Sequence, residues 1–292
     1  MELKKHLVSE EMLSIIKGKI PEDVSNIVLE KGLRWFKTNE SETQQIVSNL
    51  QRFGFSVTEK LLSDVQRHII LHYYEKLLSI CETPEVYYHF LRNTVDMKDA
   101  VIKLSQTIRD GKAVIIAAAH FGGLELMAPA LATYKLPLSA ALRFTTEIFS
   151  EYLYKSMKNA KESGFFGNIH FIEIGRPGVN AALSMGASLR RKELLVTIFD
   201  EDTEYSVPVT LFGKTIWGGA GVQKLIAFGG NSVKLFNAFM IRTDNKGYKL
   251  LLKDIDLKVK NPIQYMYSNL EQILKTHLEQ WYFLHEKISF EE

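Results

Sequence analysis

Between residues 95 and 260 short apolar runs alternate with stretches of helical periodicity, and this alternation constrains the fold more than any other feature of the chain. "AVIIAAA" (113–119) is apolar at every position rather than every second one, the pattern of a strand covered on both faces. "LPLSAALRF" (136–144), "IHFIEIG" (169–175) and "ELLVTIFD" (193–200) are further short strands. Between them "LELMAPALA" (124–132), "EIFSEYLYKSMKNAKESG" (147–164) and "PGVNAALSMGASLRRK" (177–192) read as helices, the last with Pro177 near its start. "DMKDAVIKLSQTIRDG" (96–111) is a helix stopped by Gly111. Farther on come a strand "VPVTLFG", a helix "GVQKLIAFGG", two strands around the turn "TDNKG", and a last helix from Pro262 to Phe283. Strand–helix alternation of this kind predicts an α/β fold, a central mixed sheet flanked by helices.

Residues 1–95 differ in texture. "EDVSNIVLEKGLRWF", "SETQQIVSNLQRF" and "TEKLLSDVQRHIILHYYEKLLSIC" carry apolar residues at helical spacing. Ser41 followed by Gln44 fits a capping box, and Pro84 closes the region. The expectation is a helical N-terminal region, 1–95, packed on an α/β domain, 96–292, as one structural unit. No internal repeat or low-complexity linker interrupts it.

With 292 residues, 46% of them apolar, the chain can bury a sizeable core. A formal net charge of +2 does not suit a dedicated nucleic-acid binder. Cys81 is the only cysteine, so no internal disulfide or Cys-rich zinc site can form. "MELKKHLVSEEML" lacks the apolar core of a signal peptide, and the apolar runs fall short of the roughly 18–20 residues of a membrane span. The expected location is cytoplasmic, with room for peripheral contact at the inner face of a membrane.

The chemistry concentrates where the first long apolar run ends, in "AAAHFGGLELM". Ligands of open α/β sheets bind at the carboxyl ends of strands, where His120 falls. Gly122 and Gly123 permit close backbone approach, and the next helix would aim free N–H groups at the same spot. Residues five apart on one helix diverge by about 140°. His120 in the loop and Glu125 in the first helical turn could instead meet. The carboxylate would then fix the imidazole tautomer and leave the other nitrogen to take a proton. No G-x-S-x-G accompanies the pair, and Cys81 lies in the helical region. A base without a protein nucleophile points to direct transfer, in which an acceptor hydroxyl or amine attacks an activated acyl carbon. Helix N–H groups would stabilise the oxyanion.

"GKAVIIAAAHFGGLELMAPALA" resembles the H-x4-D/E block of the glycerolipid and lysophospholipid acyltransferase superfamily. It looks most like the branch of the late (lauroyl/myristoyl) acyltransferases of lipid A biosynthesis. "ETQQIVSNLQRFGF", "LVTIFDEDTEYSVPVTLFG", Gly221 in "GAGVQKLIA", Arg242 with "DNKGYKLLLKDI", and "NLEQILKTHLEQWYFLHE" resemble further blocks of that branch, in the same order. The resemblance spans roughly residues 43–286. It implies transfer of a fatty acyl chain from an acyl carrier protein or acyl-CoA to a lipid or small-molecule acceptor, with no cofactor beyond the thioester co-substrate and no metal. Carried over by position, His120 is the base and Glu125 its partner. Gly122, Gly123, Arg143, Asp200, Gly213 and Arg242 fall on the substrate-binding side.

Several positions depart from the pattern. The branch carries an N-terminal anchoring segment that this sequence does not show. Leu124 stands where the family has tryptophan, Gly218 where it has threonine, Glu201 where it has glutamine, and Glu286 where it has arginine. These departures point away from a phosphorylated lipid A acceptor. One alternative is therefore a soluble biosynthetic enzyme joining a carrier-bound acyl or polyketide chain to a natural-product acceptor. Another is a non-catalytic acyl- or carrier-binding protein.

The remaining motifs read more plainly. Pro208 occupies the first glycine position that a P-loop at "LFGKT" would need, and "WGGAGVQK" lacks G-x-G-x-x-G. His68, His72 and Glu75 share a helical face that could bind a metal but reads first as a packed helix surface. His285 and the run Trp281–Phe283 read as structural. Arg190, Arg191 and Lys192 suit a helix C-terminus, with an acidic carrier or anionic lipid as the functional alternative.

Overall fold

A computed structural model describes residues 2–144, 147–175, 178 and 180–291. Six helices come first: α1 (Leu3–Leu7), α2 (Glu10–Ile16), α3 (Pro21–Thr38), α4 (Glu40–Arg52), α5 (Glu59–Cys81) and α6 (Pro84–Thr94). The alternating part follows as β1 (Val95–Asp96), α7 (Lys98–Arg109), β2 (Ala113–Gly122), α8 (Met127–Ala132), β3 (Leu138–Leu142), α9 (Glu147–Glu162), β4 (Ile169–Glu173), α10 (Ala181–Arg190) and β5 (Leu194–Ile198). The chain ends with β6 (Ser206–Leu211), β7 (Lys214–Gly219), α11 (Gly221–Gly229), β8 (Val233–Arg242), β9 (Tyr248–Ile255) and α12 (Pro262–His277). No described helix is long and apolar enough to cross a membrane.

Seven strands form one sheet in the order β1-β9-β8-β2-β5-β3-β4. From β8 to β4 all neighbours are parallel, whereas β9 runs antiparallel to β8. The fold is thus α/β, with a mixed central sheet and a helical N-terminal region. β2 lies at the middle, and its residues Ala113–Ala119 are buried throughout. Helix α7 packs on β2 and β9, α10 on β2 to β5, and α8 on β3 and β4. Helices on the sheet remove both faces of β2 from water, which is why its sequence shows no alternation.

Several helix ends differ from their sequence reading. Ser41 does not cap α4, which already starts at Glu40 because only Asn39 separates it from α3. The Asn39 side chain instead donates to the Trp35 carbonyl at 3.0 Å and closes α3. Pro84 opens α6 rather than ending the region, with Thr83 accepting the Val86 N–H. Pro177 lies outside the described residues, and α10 starts at Ala181, capped by the Asn180 side chain at 3.1 Å from Leu183 N. The last helix stops at His277 and gives way to 3-10 turns at Leu278–Gln280 and Tyr282–His285.

The glycine-rich "WGGAG" begins in strand β7, which pairs with β6 in a separate antiparallel hairpin, and runs into the start of α11. A Cβ on Gly218 would strike the Tyr267 ring, and one on Gly219 the Glu201 carbonyl oxygen. Gly213 is the second residue of the two-residue turn of this hairpin, with Phe212 at φ 49° and Gly213 at φ 70°. Paired positive φ values are what a tight hairpin turn requires. Its placement is explained by the turn, and substrate binding by Gly213 finds no support there.

Helix α5 runs beneath the carboxyl end of β2, packed on α3 and on the 3-10 turns at both 124–126 and 278–285. It is tied to β8 by a buried ion pair: Arg242 Nε and Nη2 donate to Glu75 at 2.6 and 2.8 Å. Arg242 Nη1 faces His68 Nδ1 at 3.1 Å. Burial, and then the Arg242 charge, push His68 down to about 3, so its ring is a neutral acceptor. Gln280 clasps the Arg242 backbone on both sides, at 2.9 and 3.0 Å. Arg242 is therefore a strut of the fold and not a free anion-binding group. Removing one partner of a buried pair strands the other charge. Glu75→Gln is expected to cost about 3–5 kcal/mol, read as a fall in the urea midpoint of unfolding.

Candidate active site

The parallel pairing of β2 with β5 decides which groups meet. Ala118 stands opposite Ile198, so two residues farther along both strands His120 and Asp200 come side by side. The Asp200 carboxylate accepts the His120 backbone N–H with both oxygens at 3.0 Å. Its Oδ1 also lies 3.0 Å from His120 Nδ1. Trp281 Nε1 donates to Oδ2 at 3.1 Å. The carboxylate side chain has 0% of its surface exposed, against 20% for the imidazole. A buried carboxylate with these partners is an acceptor only, which puts the proton of His120 on Nδ1 and leaves Nε2 as the basic nitrogen.

Aromatic rings shape the remaining surroundings. Phe283 lies 4.8 Å from the His120 ring centroid and Tyr282 6.0 Å. Tyr282 is held in turn by Tyr73 through a 2.7 Å contact between hydroxyls. Burial pushes the His120 imidazole down. The charge and hydrogen bond of Asp200, aided by Glu201 and Glu125, more than offset it and leave the group above its ordinary value. A cavity of about 10 Å³, roughly one water in size, adjoins this centre between Asp200, Trp281, Phe283 and the half-exposed Trp217.

Glu125 is not the carboxylate on Nδ1. Its Oε1 lies 3.2 Å from His72 Nε2 and 3.2 Å from Lys76 Nζ, both on α5. Residues 124–126 form a 3-10 turn before a six-residue α8, and this turn directs Glu125 to α5 while His120 still lies within β2. The expected helix N-terminus aimed at the base is absent for the same reason. The Gly123 N–H is already spent on the Met240 carbonyl at 2.8 Å.

The glycines serve the strand rather than a ligand. Gly122 has φ +56°, and a Cβ there would overlap the Met240 carbonyl oxygen. A Cβ on Gly123 would strike the Tyr248 ring. Arg143 sits at the end of β3, exposed, 3.8 Å from Glu201, which puts it on the rim beside the acidic turn rather than at the imidazole. Asp200, expected on the substrate-binding side, is the group that holds the His120 imidazole. His285 contacts the Tyr282 carbonyl through Nδ1 at 2.6 Å, consistent with a structural part. The helix face read as a metal alternative is occupied by protein partners: His68 and Glu75 by Arg242, His72 by Glu125. Arg191, of the basic cluster, bonds Glu193 and contacts His170.

Three contributors escaped the sequence reading: the pairing of Asp200 with His120, the indole donor of Trp281, and the α5 pair His72–Lys76. Only the first had a signal in the sequence. "AAAH" and "TIFD" both end an apolar strand in a polar residue, and two such strands side by side bring those residues together.

No family model matches the chain, and none of the curated proteins matches it.

Because the folded pKa of His120 lies above its unfolded value, the bond to Asp200 stabilises most below about pH 6.5, and that share is lost as the pH rises through the folded value. Asp200→Asn is expected to destabilise more at pH 5.5 than at pH 8.5. Urea unfolding at the two pH values measures this, with a residual loss at high pH from the Trp281 and backbone contacts.

Proposed function

We propose that the chain is an acyltransferase in which His120 is the general base. One observation carries the reading: a strand-end imidazole is locked through Nδ1 to a buried carboxylate, so that Nε2 is left to accept a proton. A carboxylate partner also stabilises the imidazolium that forms.

In this reading an acceptor O–H or N–H gives its proton to His120 Nε2 while the oxygen or nitrogen attacks the thioester carbonyl carbon. The tetrahedral intermediate collapses with cleavage of the C–S bond, and the imidazolium returns the proton to the departing thiolate. No acyl-enzyme forms. Among the described residues no serine, threonine or cysteine side chain bonds the imidazole, which supports direct transfer. The only thiol is a poor nucleophile, since burial and then Glu82 push Cys81 up to about 12.

The donor is an acyl carrier protein or coenzyme A thioester, and the acceptor a hydroxyl or amine of a lipid or small molecule. The order of sequence blocks supports that assignment. An acyl chain is wider than the cavity beside Asp200, so binding requires Phe283 or Trp217 to move aside.

The test is thioester turnover by the purified protein, with carrier-bound and coenzyme A-bound acyl donors against hydroxyl and amine acceptors. His120→Ala is expected to lower kcat/KM by at least about 10²–10⁴-fold. In the unaltered protein kcat/KM should rise with pH through a midpoint above about 6.5, as the imidazole loses its proton. Undiminished turnover in His120→Ala, or retention of an acyl ligand without any turnover, would overturn the assignment, the latter in favour of a binding protein.

A further inference from the structure

The seven-stranded sheet ends in an open edge. Among the described residues β4 pairs with β3 alone. The Ile174 N–H donates to the Leu142 carbonyl at 2.8 Å, toward β3. By strand alternation the N–H and C=O groups of Ile169, Phe171 and Glu173 point the other way, out of the sheet. Edges of natural sheets are commonly guarded by lysine, proline or a bulge. The β4 sequence "IHFIE" contains no lysine or proline, and its register with β3 is unbroken.

The C-terminal half of α9 borders this edge. Between them lies an open cavity of about 330 Å³, lined by Tyr154, Met157, Lys158 and Lys161 of the helix and by Ile169 and Phe171 of the strand. At alternating spacings of four and three, Glu147, Glu151, Tyr154, Lys158 and Lys161 fall on one face of α9, and all are exposed. This strip is acidic at one end, aromatic in the middle and basic at the other. The ion pair of Lys158 with Glu162 is long, 3.9 Å, and well solvated, so it holds the lysine only loosely. Tyr154 lies edge-on against Phe171, with ring centroids 5.9 Å apart. The middle of the helix strip therefore rests on the middle of the open strand.

We propose that this edge is a two-fold interface between two copies of the chain. A two-fold axis demands a surface complementary to itself. With the axis at Phe171, β4 pairs antiparallel with its copy, so that Ile169 stands opposite Glu173 of the partner subunit and the two sheets become continuous. Both α9 helices then lie on the same side of the joined sheet and run antiparallel. Glu147 and Glu151 approach the basic end of the partner helix, and Tyr154 meets its own counterpart beside the cavity. An extended peptide from another protein also fits an open edge. The reversal of charge about Tyr154, however, matches the strip to itself, which favours a second copy. β3 and β5 separate this edge from β2, so the interface is independent of the proposed reaction at His120.

Analytical ultracentrifugation of the full chain over a range of concentrations tests this. The expected result is a monomer–dimer equilibrium that salt weakens, because ion pairs contribute to it. Ile169→Pro deletes an N–H that points out of the sheet and spares the ladder with β3. One such bond is lost from each copy, and the dimer Kd should rise at least about tenfold. Lys158→Glu with Lys161→Glu makes the strip acidic throughout, and Glu147→Lys with Glu151→Lys makes it basic throughout. Each of these double variants should be monomeric by itself, whereas an equal mixture of the two should form a heterodimer. Recovery on mixing separates charge repulsion from misfolding, and circular dichroism establishes that the proline variant is folded. A chain that stays monomeric at every concentration overturns the proposal and leaves the edge to a different partner. A dimer that persists in the proline variant, or in both charge-reversed variants, lies on another face and overturns it too. So does a mixture of the reversed variants that remains monomeric.

Discussion

A carboxylate buried as fully as that of Asp200 is tolerated only where donors replace the water it has lost. Here the donors come from separate parts of the chain: a backbone N–H and a ring nitrogen of His120 at the end of β2, and an indole N–H from the segment after α12. The carboxylate itself closes β5. One ion therefore sets the relative position of two central strands and the C-terminal turn. An isolated bridge between Phe121 and Trp281 extends the same junction through the backbone. The geometry of the imidazole follows from this electrostatic demand, since any rotation that frees Nδ1 removes one of the donors.

Helix α5 meets a comparable demand on the other side of the centre. Its Glu75 is fully buried and matched by a bidentate Arg242, whose remaining nitrogen faces a neutral His68. One position farther along, Lys76 turns toward Glu125. Successive residues on a helix point about 100° apart, so a single turn serves two ion pairs, one with β8 and one with the loop after β2. Buried pairs of this kind are weak evidence for stability but restrict the chain to arrangements in which every charge finds its partner. In this protein those arrangements all include the carboxyl ends of β2 and β8, where the imidazole sits.

The strands were legible because burial on both faces writes itself as an unbroken apolar run, as in "AVIIAAA" and "LLVTI". Strand order was not legible. Adjacency of β2 and β5 depends on crossovers that no local pattern encodes, so the partner sought for His120 was the nearest carboxylate along the chain rather than the nearest in space. The glycines misled for a related reason. Gly122 and Gly123 do mark a close backbone approach, but the approaching group is the Met240 carbonyl of β8. Ser41 failed as a cap because the one-residue corner at Asn39 had already set where α4 begins.

The departure at residue 122 also accounts for the different fates of the two acidic residues. The register between β2 and β8 shifts between Ala118 and Gly122, and the positive φ of Gly122 ends the strand with its carbonyl neighbour at Met240. His120 lies within that irregular stretch, where its backbone N–H goes to the Asp200 side chain instead of a neighbouring strand. Glu125 lies beyond it, in a 3-10 turn whose direction is set by packing on α5. A straight continuation of β2 would have carried the chain past α5, and a helix starting at once would have turned Glu125 to another side. The two-glycine break thus gives His120 and Glu125 different neighbours within six residues of chain, Asp200 for the imidazole and His72 and Lys76 of α5 for the carboxylate.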